Sequence, residues 1–277
     1  MNTYHVTISI VLYKPDNTTI TNINSLLNTT LVHKLFLIDN SPNDQFRKLL
    51  PNNNNIEYIH LNKNVGFGSA HNIIWNMIKT ATSYHLILNP DVEINTGVLE
   101  GLYTFMQNTP NATAVMPNVL YKNGQTQHLC KLIPTPLHLI FRRFIPKKLK
   151  YLIQSKIDKY ELKHITFKQP TIVPIVSGCF LFLRVVDLIQ TNKLFDERYF
   201  MYMEDIDLCR RISLNKSIYF HPNISIYHGY AKGSYKNFTL LKEHIISAIK
   251  YFNKWGWIFD KQRKQTNKSL LKYIQQQ

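Results

Sequence analysis

Residues 198–212 read RYFMYMEDIDLCRRI, with the carboxylates Glu204, Asp205 and Asp207 directly behind a run of large side chains. Paired acids against an apolar wall suit a general base, whose pKa is set by its neighbours and surroundings. The same acids in the first turn of a helix also suit the helix dipole as caps. Asp207 and Arg211 stand four apart in the acid-first order and are expected to pair on that helix. Asp205 cannot share the face of Asp207, so a catalytic and a structural role can separate. In LNPDVEI, Asp91 follows Asn89 and Pro90 at the end of an apolar run. One carboxylate there can hold Mg²⁺, which takes one or two carboxylates plus substrate phosphates. The same residue types also favour a strand-terminating turn. In NVGFGSAHN, Gly66 and Gly68 permit a tight turn into a helix whose N-terminus favours an anion. His71 stands where a dinucleotide fingerprint has its third glycine, and the motif follows a third strand rather than a first, which argues against NAD. His228, in SIYHGYAKGSYK, ends a strand beside Gly229. It reads either as a metal-ligating imidazole or as a structural one. Lys232, Ser234 and Lys236 behind it form a loop that either meets phosphates or is simply solvated.

These residues need elements to hold them. HVTISIVLY (5–13), KLFLIDNS (34–41), IEYIHLN and YHLILNPDVEI (84–94) read as four strands, with ATAVMPNVLY as a fifth. The stretch ITNINSLLNT reads as a helix, and NVGFGSAHNIIWNMIKTA as a turn into one continuous helix. Alternating strands and helices predict an α/β fold, a mostly parallel sheet flanked by helices. Ligands of such sheets bind beyond the carboxyl ends of the strands, where Asp39 and Asp91 fall. Residues 125–170 differ: they are basic, Pro-interrupted and contain the amphipathic LHLIFRRFIPKKLKYLIQSKI. PIVSGCFLFLRV and SIYFHPNISIYHGY return to strand character, a helix starts near Glu204, and the tail from about 237 is helical.

At 277 residues with 44% hydrophobic side chains, the chain can bury a large core. No apolar run reaches the roughly 18 residues of a membrane span. The opening MNTYHVTISIVLYK lacks the pattern of a signal peptide, and Cys130, Cys179 and Cys209 lack disulfide or metal spacing, so a cytosolic protein with reduced thiols is expected. The net charge of +16 is localised: residues 131–170 hold ten Lys/Arg against two acids, and residues 231–277 again ten against two. These segments carry +8 each, and the remainder balances at thirteen against thirteen. A near-neutral body with two basic surfaces suits anionic lipid, a phosphorylated substrate or nucleic acid. With no zinc spacing, RNA-binding aromatic signature or clear helix-turn-helix, nucleic acid is not the expected partner.

Taken in order, ISIVLYK, LIDNS, NVGFGSAHN, LNPDVEI, VSGCFLFLR, FMYMEDIDLCRR and YHGYAKGSYK resemble the inverting glycosyltransferases of family 2, with the GT-A fold. Within that family the chain is most similar to bacterial rhamnosyltransferases of polysaccharide assembly, and related galactofuranosyl and hexosyl transferases share the motif forms. The resemblance implies a GT-A domain over 1–236, with 1–124 binding the nucleotide sugar and 125–236 carrying acceptor and catalysis, and a basic helical segment at 237–277. It implies dTDP-rhamnose as donor, a UDP-sugar being the alternative, and a glycan or lipid-linked acceptor; the basic segments 131–170 and 231–277 are then expected to dock the enzyme on the inner face of the cytoplasmic membrane and present that acceptor. Tyr13 and Asp39 would border the nucleobase; Asn64, Gly66, Gly68 and Asn72 would shape the nucleotide pocket, with Lys232 near the phosphates. Asn89 and Asp91 fill the D-x-D positions, Asp91 being the expected Mg²⁺ or Mn²⁺ ligand together with His228. Asn89 leaves one charge fewer than that motif. Ser177 and Gly178 would lie near the acceptor, and Asp205, with Glu204 beside it, would be the general base.

Overall fold

The computed structural model describes residues 4–144, 151–229 and 238–275. The first half alternates as expected. Strand β1 (Tyr4–Leu12) leads to α1 (Asn17–Leu27), β2 (Val32–Asp39), β3 (Ile56–His60), the short helices α2 (Phe67–Asn72) and α3 (Trp75–Ile78), and β4 (Thr82–Leu88). Helix α1 starts at Asp16, whose Oδ1 accepts the Thr18 and Thr19 amides at 3.0 and 3.3 Å. Strands β3, β2, β1 and β4 lie side by side and parallel. Val6, Ile8, Ile10 and Leu12 in β1, like Leu86 to Leu88 in β4, are buried. Parallel strands covered on both faces read as continuous apolar runs, which is why these strands are plain in the sequence.

The second half is built differently. It contains β5 (Val92–Glu93), α4 (Val98–Asn108), β6 (Ala112–Leu120), α5 (Pro136–Phe144), α6 (Gln154–Tyr160), β7 (Thr171–Ile172), β8 (Phe180–Arg184), α7 (Glu204–Ile212) and β9 (Ser217–His228). Strand β8 runs antiparallel between β4 and β6, pairing Leu86 with Phe182 and Ala114 with Leu183. Strand β9 is parallel to β6 and antiparallel to β5 and β7. The sheet is therefore parallel through its first four strands and mixed beyond β4.

Two local expectations change. The segment from Phe67 to Ile78 is broken into two helices instead of one, and the fourth strand stops at Leu88. Asn89, Pro90 and Asp91 thus sit in a turn, and Val92–Glu93 starts a separate strand against the end of β9.

The chain closes with α8 (Phe238–Trp255) and α9 (Lys261–Gln275). Helix α8 packs against the segment leading into α7: Tyr199, Met203, Tyr251 and Phe252 form a second buried cluster beside the main core. Arg210 of α7 makes two bonds to Asp260, at 2.8 and 2.9 Å, with both side chains buried. Arg210 also donates to Tyr251 and Gln262 and lies 4.1 Å above the Trp255 ring. Breaking a buried ion pair from one side costs about 3–5 kcal/mol, so this contact ties the C-terminal helices to the element that carries the acids.

Candidate active site

The acids sit on a strained turn. Tyr202 and Met203, immediately before Glu204, have φ of 68° and 65°. Non-glycine residues in that region cost about 1–3 kcal/mol each and persist where surrounding packing dictates them. Here the packing comes from α8: Ser247 Oγ donates to the Met201 carbonyl at 2.9 Å, and the His244 ring lies 4.7 Å from that of Tyr202. From the opposite side the Phe200 carbonyl accepts the Phe67 amide at 3.0 Å. The turn launches α7 with Glu204 buried and Asp205 partly exposed.

Asp205 is oriented by two backbone amides: Ile206 N donates to Oδ1 at 2.8 Å and Gly178 N to Oδ2 at 3.1 Å. A Cβ on Gly178 would stand 3.2 Å from the Asp205 Cβ, so glycine allows the 177–179 loop this close. A carboxylate offers about four lone-pair positions, which leaves both oxygens able to accept a further proton or hydrogen bond. Burial, reinforced by the Asp205 carboxylate, pushes Glu204 up to about 8, so Glu204 holds its proton at neutral pH. Its Oε2 is buried and has no hydrogen-bond partner. Two adjacent acids in different environments are the arrangement that separates proton-holding from proton-accepting roles. Asp207 is structural, as the sequence spacing implies: Arg211 Nε donates to it at 2.9 Å, and Lys254 and Trp255 each reach it at 2.7 Å.

The 177–179 loop also reaches the other half of the site. The Cys179 carbonyl accepts the Asn89 amide at 2.9 Å. Past Asn89, Asp91 is 41% exposed, with its Oδ1 3.3 Å from Nε2 of buried His228. The β5–β9 pairing sets this: Val92 stands opposite His228, and the Gly229 amide donates to the Asp91 carbonyl at 3.0 Å.

A residue outside the sequence-derived set fixes the imidazole. Gln127 Nε2 donates to the carbonyls of Leu120 and His228, at 3.1 and 2.8 Å. That orientation aims Gln127 Oε1, an acceptor only, at His228 Nδ1, 3.0 Å away. Nδ1 therefore carries a proton, and Nε2 faces Asp91 and the Asn89 side-chain amide, the latter 3.5 Å away. Hydrogen bonding the far nitrogen is how metal-ligating histidines are held in one tautomer. No sequence signal marks Gln127, because its partners, two backbone carbonyls and the His228 ring, are brought together by β6 and β9.

One carboxylate and one imidazole nitrogen fit Mn²⁺ or Mg²⁺ with the remaining positions left to phosphate oxygens and water. Among the described residues no cluster of three or more His, Cys, Asp or Glu could hold a metal unaided.

The other expected residues fall as follows. Tyr13 is exposed at the end of β1. Asp39 is buried, with Ser41 N and Tyr58 OH donating to its two oxygens at 2.7 and 2.5 Å. Asn64 Oδ1 accepts the Gly66 amide at 3.0 Å. Gly66 (φ 89°) and Gly68 let α2 press against the 195–200 loop: a Cβ on them would lie 2.1 Å from the Phe200 carbonyl oxygen and 2.8 Å from the Phe195 Cβ. Asn72 clips the same loop, accepting from Phe195 N at 2.8 Å and donating to the Phe195 carbonyl at 2.8 Å and to Glu197 at 3.1 Å. So the glycine motif braces the turn before Glu204. His71 is also internal: its Nδ1 and His85 Nε2 both meet Ser9 Oγ, at 2.7 and 2.8 Å, and burial holds both rings neutral. Lys232 lies outside the described residues.

The chain is similar to several known glycosyltransferases. The chain is 24% identical over 229 residues to Rhamnosyltransferase WbbL of Escherichia coli, covering 79% of this chain and 81% of that one. It is 26% identical over 182 residues to the low-salt glycan biosynthesis hexosyltransferase Agl10 of Haloferax volcanii, covering 65% of this chain and 53% of that one. It is 26% identical over 173 residues to the N-acetylglucosaminyl-diphospho-decaprenol L-rhamnosyltransferase of Mycobacterium tuberculosis, covering 57% and 53%. The chain thus spans about half the length of these last two relatives. Among solved structures, GalNAc-T7 with UDP, GalNAc and Mn²⁺ superposes with a TM-score of 0.60 at 13% identity, over 90% of this chain and 48% of that one. Staphylococcus aureus TarS superposes with a TM-score of 0.56 at 15% identity, over 96% and 43%. Both share the fold. The profile of Glycosyl transferase family 2 matches residues 7–188, from β1 through the 177–179 loop, and the chain belongs to that family.

Proposed function

We propose that the enzyme transfers L-rhamnose from dTDP-rhamnose, with inversion, to a hydroxyl of a glycan or lipid-linked acceptor. One observation supports the mechanism: the 177–179 loop bonds Asp205 through Gly178 and Asn89 through Cys179, so one short segment links the Asp205 carboxylate to the turn that carries Asp91 beside His228. In a single displacement, the acceptor oxygen forms the new bond to the anomeric carbon. Its proton passes to Asp205, and the bond from that carbon to the diphosphate breaks. Glu204, which keeps its proton, lowers the negative charge around Asp205 and leaves it the accepting group. A bound divalent cation would supply charge stabilisation to the departing diphosphate; Asp91 and His228 would hold it, with Gln127 fixing the imidazole. Ser177 and Gly178 lie where an acceptor approaching Asp205 would pass. The donor choice rests on the rhamnosyltransferases among the relatives. The hexosyltransferase relative favours a UDP-linked hexose as the second reading.

No helix among the described residues is long and apolar enough to cross a membrane. The two basic segments support peripheral association with the inner face of the cytoplasmic membrane, each Lys or Arg near an anionic surface contributing about 1 kcal/mol. Thermal shifts with dTDP, UDP, GDP and NAD, each with and without Mn²⁺, test the reading, since a ligand selective for the folded state raises the melting temperature. We expect the largest shift with dTDP plus Mn²⁺. A larger UDP shift would move the donor to a hexose nucleotide, and no shift with any diphosphate would overturn the site.

A further inference from the structure

We infer that the face formed by α5, α8 and the turn between α8 and α9 inserts apolar side chains into an anionic bilayer. This rests on the membrane-side reading of the acceptor above and says which surface makes the contact. Between α5 and α8 runs a groove of about 150 Å³, whose walls include Leu139, Ile140, Ile245, Ile249, Phe252 and Trp257. Beside it the turn presents Trp257, Ile258 and Phe259 at 43, 77 and 94% exposure. Ile140 on the α5 wall is also exposed, as are Ile245 and Ile249 on the α8 wall. Single exposed apolar residues are ordinary, but residues converging on one patch mark an interaction surface.

Two features favour lipid over another protein. First, the turn is held rigid from inside. Buried Arg263 donates to the carbonyls of Gly256, Trp257 and Ile258, at 3.4, 3.3 and 3.0 Å. Backbone acceptors satisfied in this way can enter hydrocarbon without being stranded. Secondly, the groove's two walls belong to the segments 131–170 and 231–277, which carry the whole net charge at +8 each. Basic chain segments that carry an apolar face match an anionic lipid interface. A second copy of the same face would bring like charge against like charge. The contact also bears on the chemistry. Leu139 and Ala248, from the groove's walls, pack on the cluster of Tyr199 and Met203 that sets the strained turn before Glu204. The groove's walls are thus continuous with the packing that holds the turn before Glu204.

The test uses the full chain with vesicles of phosphatidylglycerol and phosphatidylcholine, comparing wild type with the double variant Ile258→Ser/Phe259→Ser. Both side chains are exposed, so folding is not at stake. Binding of wild type should keep a salt-resistant part, and the variant should partition at least about tenfold more weakly, as expected for two lost apolar insertions. Brominated acyl chains should quench tryptophan emission in wild type and not in Trp257→Phe. Equal partitioning of wild type and double variant would overturn the inference. So would a wild-type dimer in light scattering that the double variant abolishes without vesicles. The dTDP thermal shift, run on the same proteins, separates the two readings: its absence in a wild type that still inserts would overturn the donor assignment alone.

Discussion

Glu204→Gln isolates the buried acid beside the base. Glu204 is fully enclosed, and its pKa rises from 4.5 to about 8 through burial first and the Asp205 carboxylate second. In the unfolded chain the group ionises near its ordinary value, so folding at neutral pH takes up a proton. A raised pKa means that stability is fully present below about pH 4.5 and is lost as pH rises through 8. At pH 7 the loss is about 1.4 kcal/mol for each of some 2.5 pH units, or roughly 3–4 kcal/mol. The glutamine is isosteric and neutral throughout. Urea denaturation of both proteins from pH 5 to 8 measures the difference. His71 and His85, whose lowered pKa values weaken the fold as pH falls below about 6.5, titrate in both proteins and cancel. We expect the wild-type curve to fall relative to the variant by about 1.4 kcal/mol per pH unit above pH 5.5. A difference independent of pH would refute the claim that Glu204 is held neutral, and with it the division of labour between the two acids.

Asp205→Asn should lower kcat by about 10²–10⁴-fold, the usual worth of a general base, while the nucleotide-dependent thermal shift survives; loss of that shift in a folded variant would move Asp205 to donor binding. Gln127→Leu frees the His228 ring to change tautomer and should weaken Mn²⁺ binding, followed by electron paramagnetic resonance titration, roughly 10–100-fold. Unchanged affinity would remove Gln127 from the site. Gly66→Ala places a Cβ 2.1 Å from the Phe200 carbonyl oxygen at a φ of 89°. It should cost at least about 2 kcal/mol in chemical denaturation, and a near-neutral result would show that the 195–200 loop yields easily.

Much of this protein can be read along the chain because the signals are local. The four parallel strands are continuous apolar runs, and the buried pattern of β1 and β4 follows directly from them. The start of α7 shows in its acids, and the Asp207–Arg211 pair in their four-residue spacing. The family resemblance shows in seven short motifs in order, five of which fall within residues 7–188, the span the family profile matches. Other features depend on chain segments far apart in sequence, and no local pattern carries them. Strand β5 is two residues long and exists because β9 lies beside it; that pairing puts Asp91 next to His228. Gln127 becomes a positioning residue only where β6 and β9 bring two carbonyls to its amide. The glycine motif reads as a phosphate cradle by itself, yet in the fold its close approach is to Phe195 and Phe200. The positive φ of Tyr202 and Met203 is imposed by packing from α8, some 45 residues onward. Residue type and spacing thus determined which groups could do chemistry and which strands would carry them. Long-range strand pairing and helix packing decided which of those groups meet, since hydrogen bonds and burial act through space and not along the sequence.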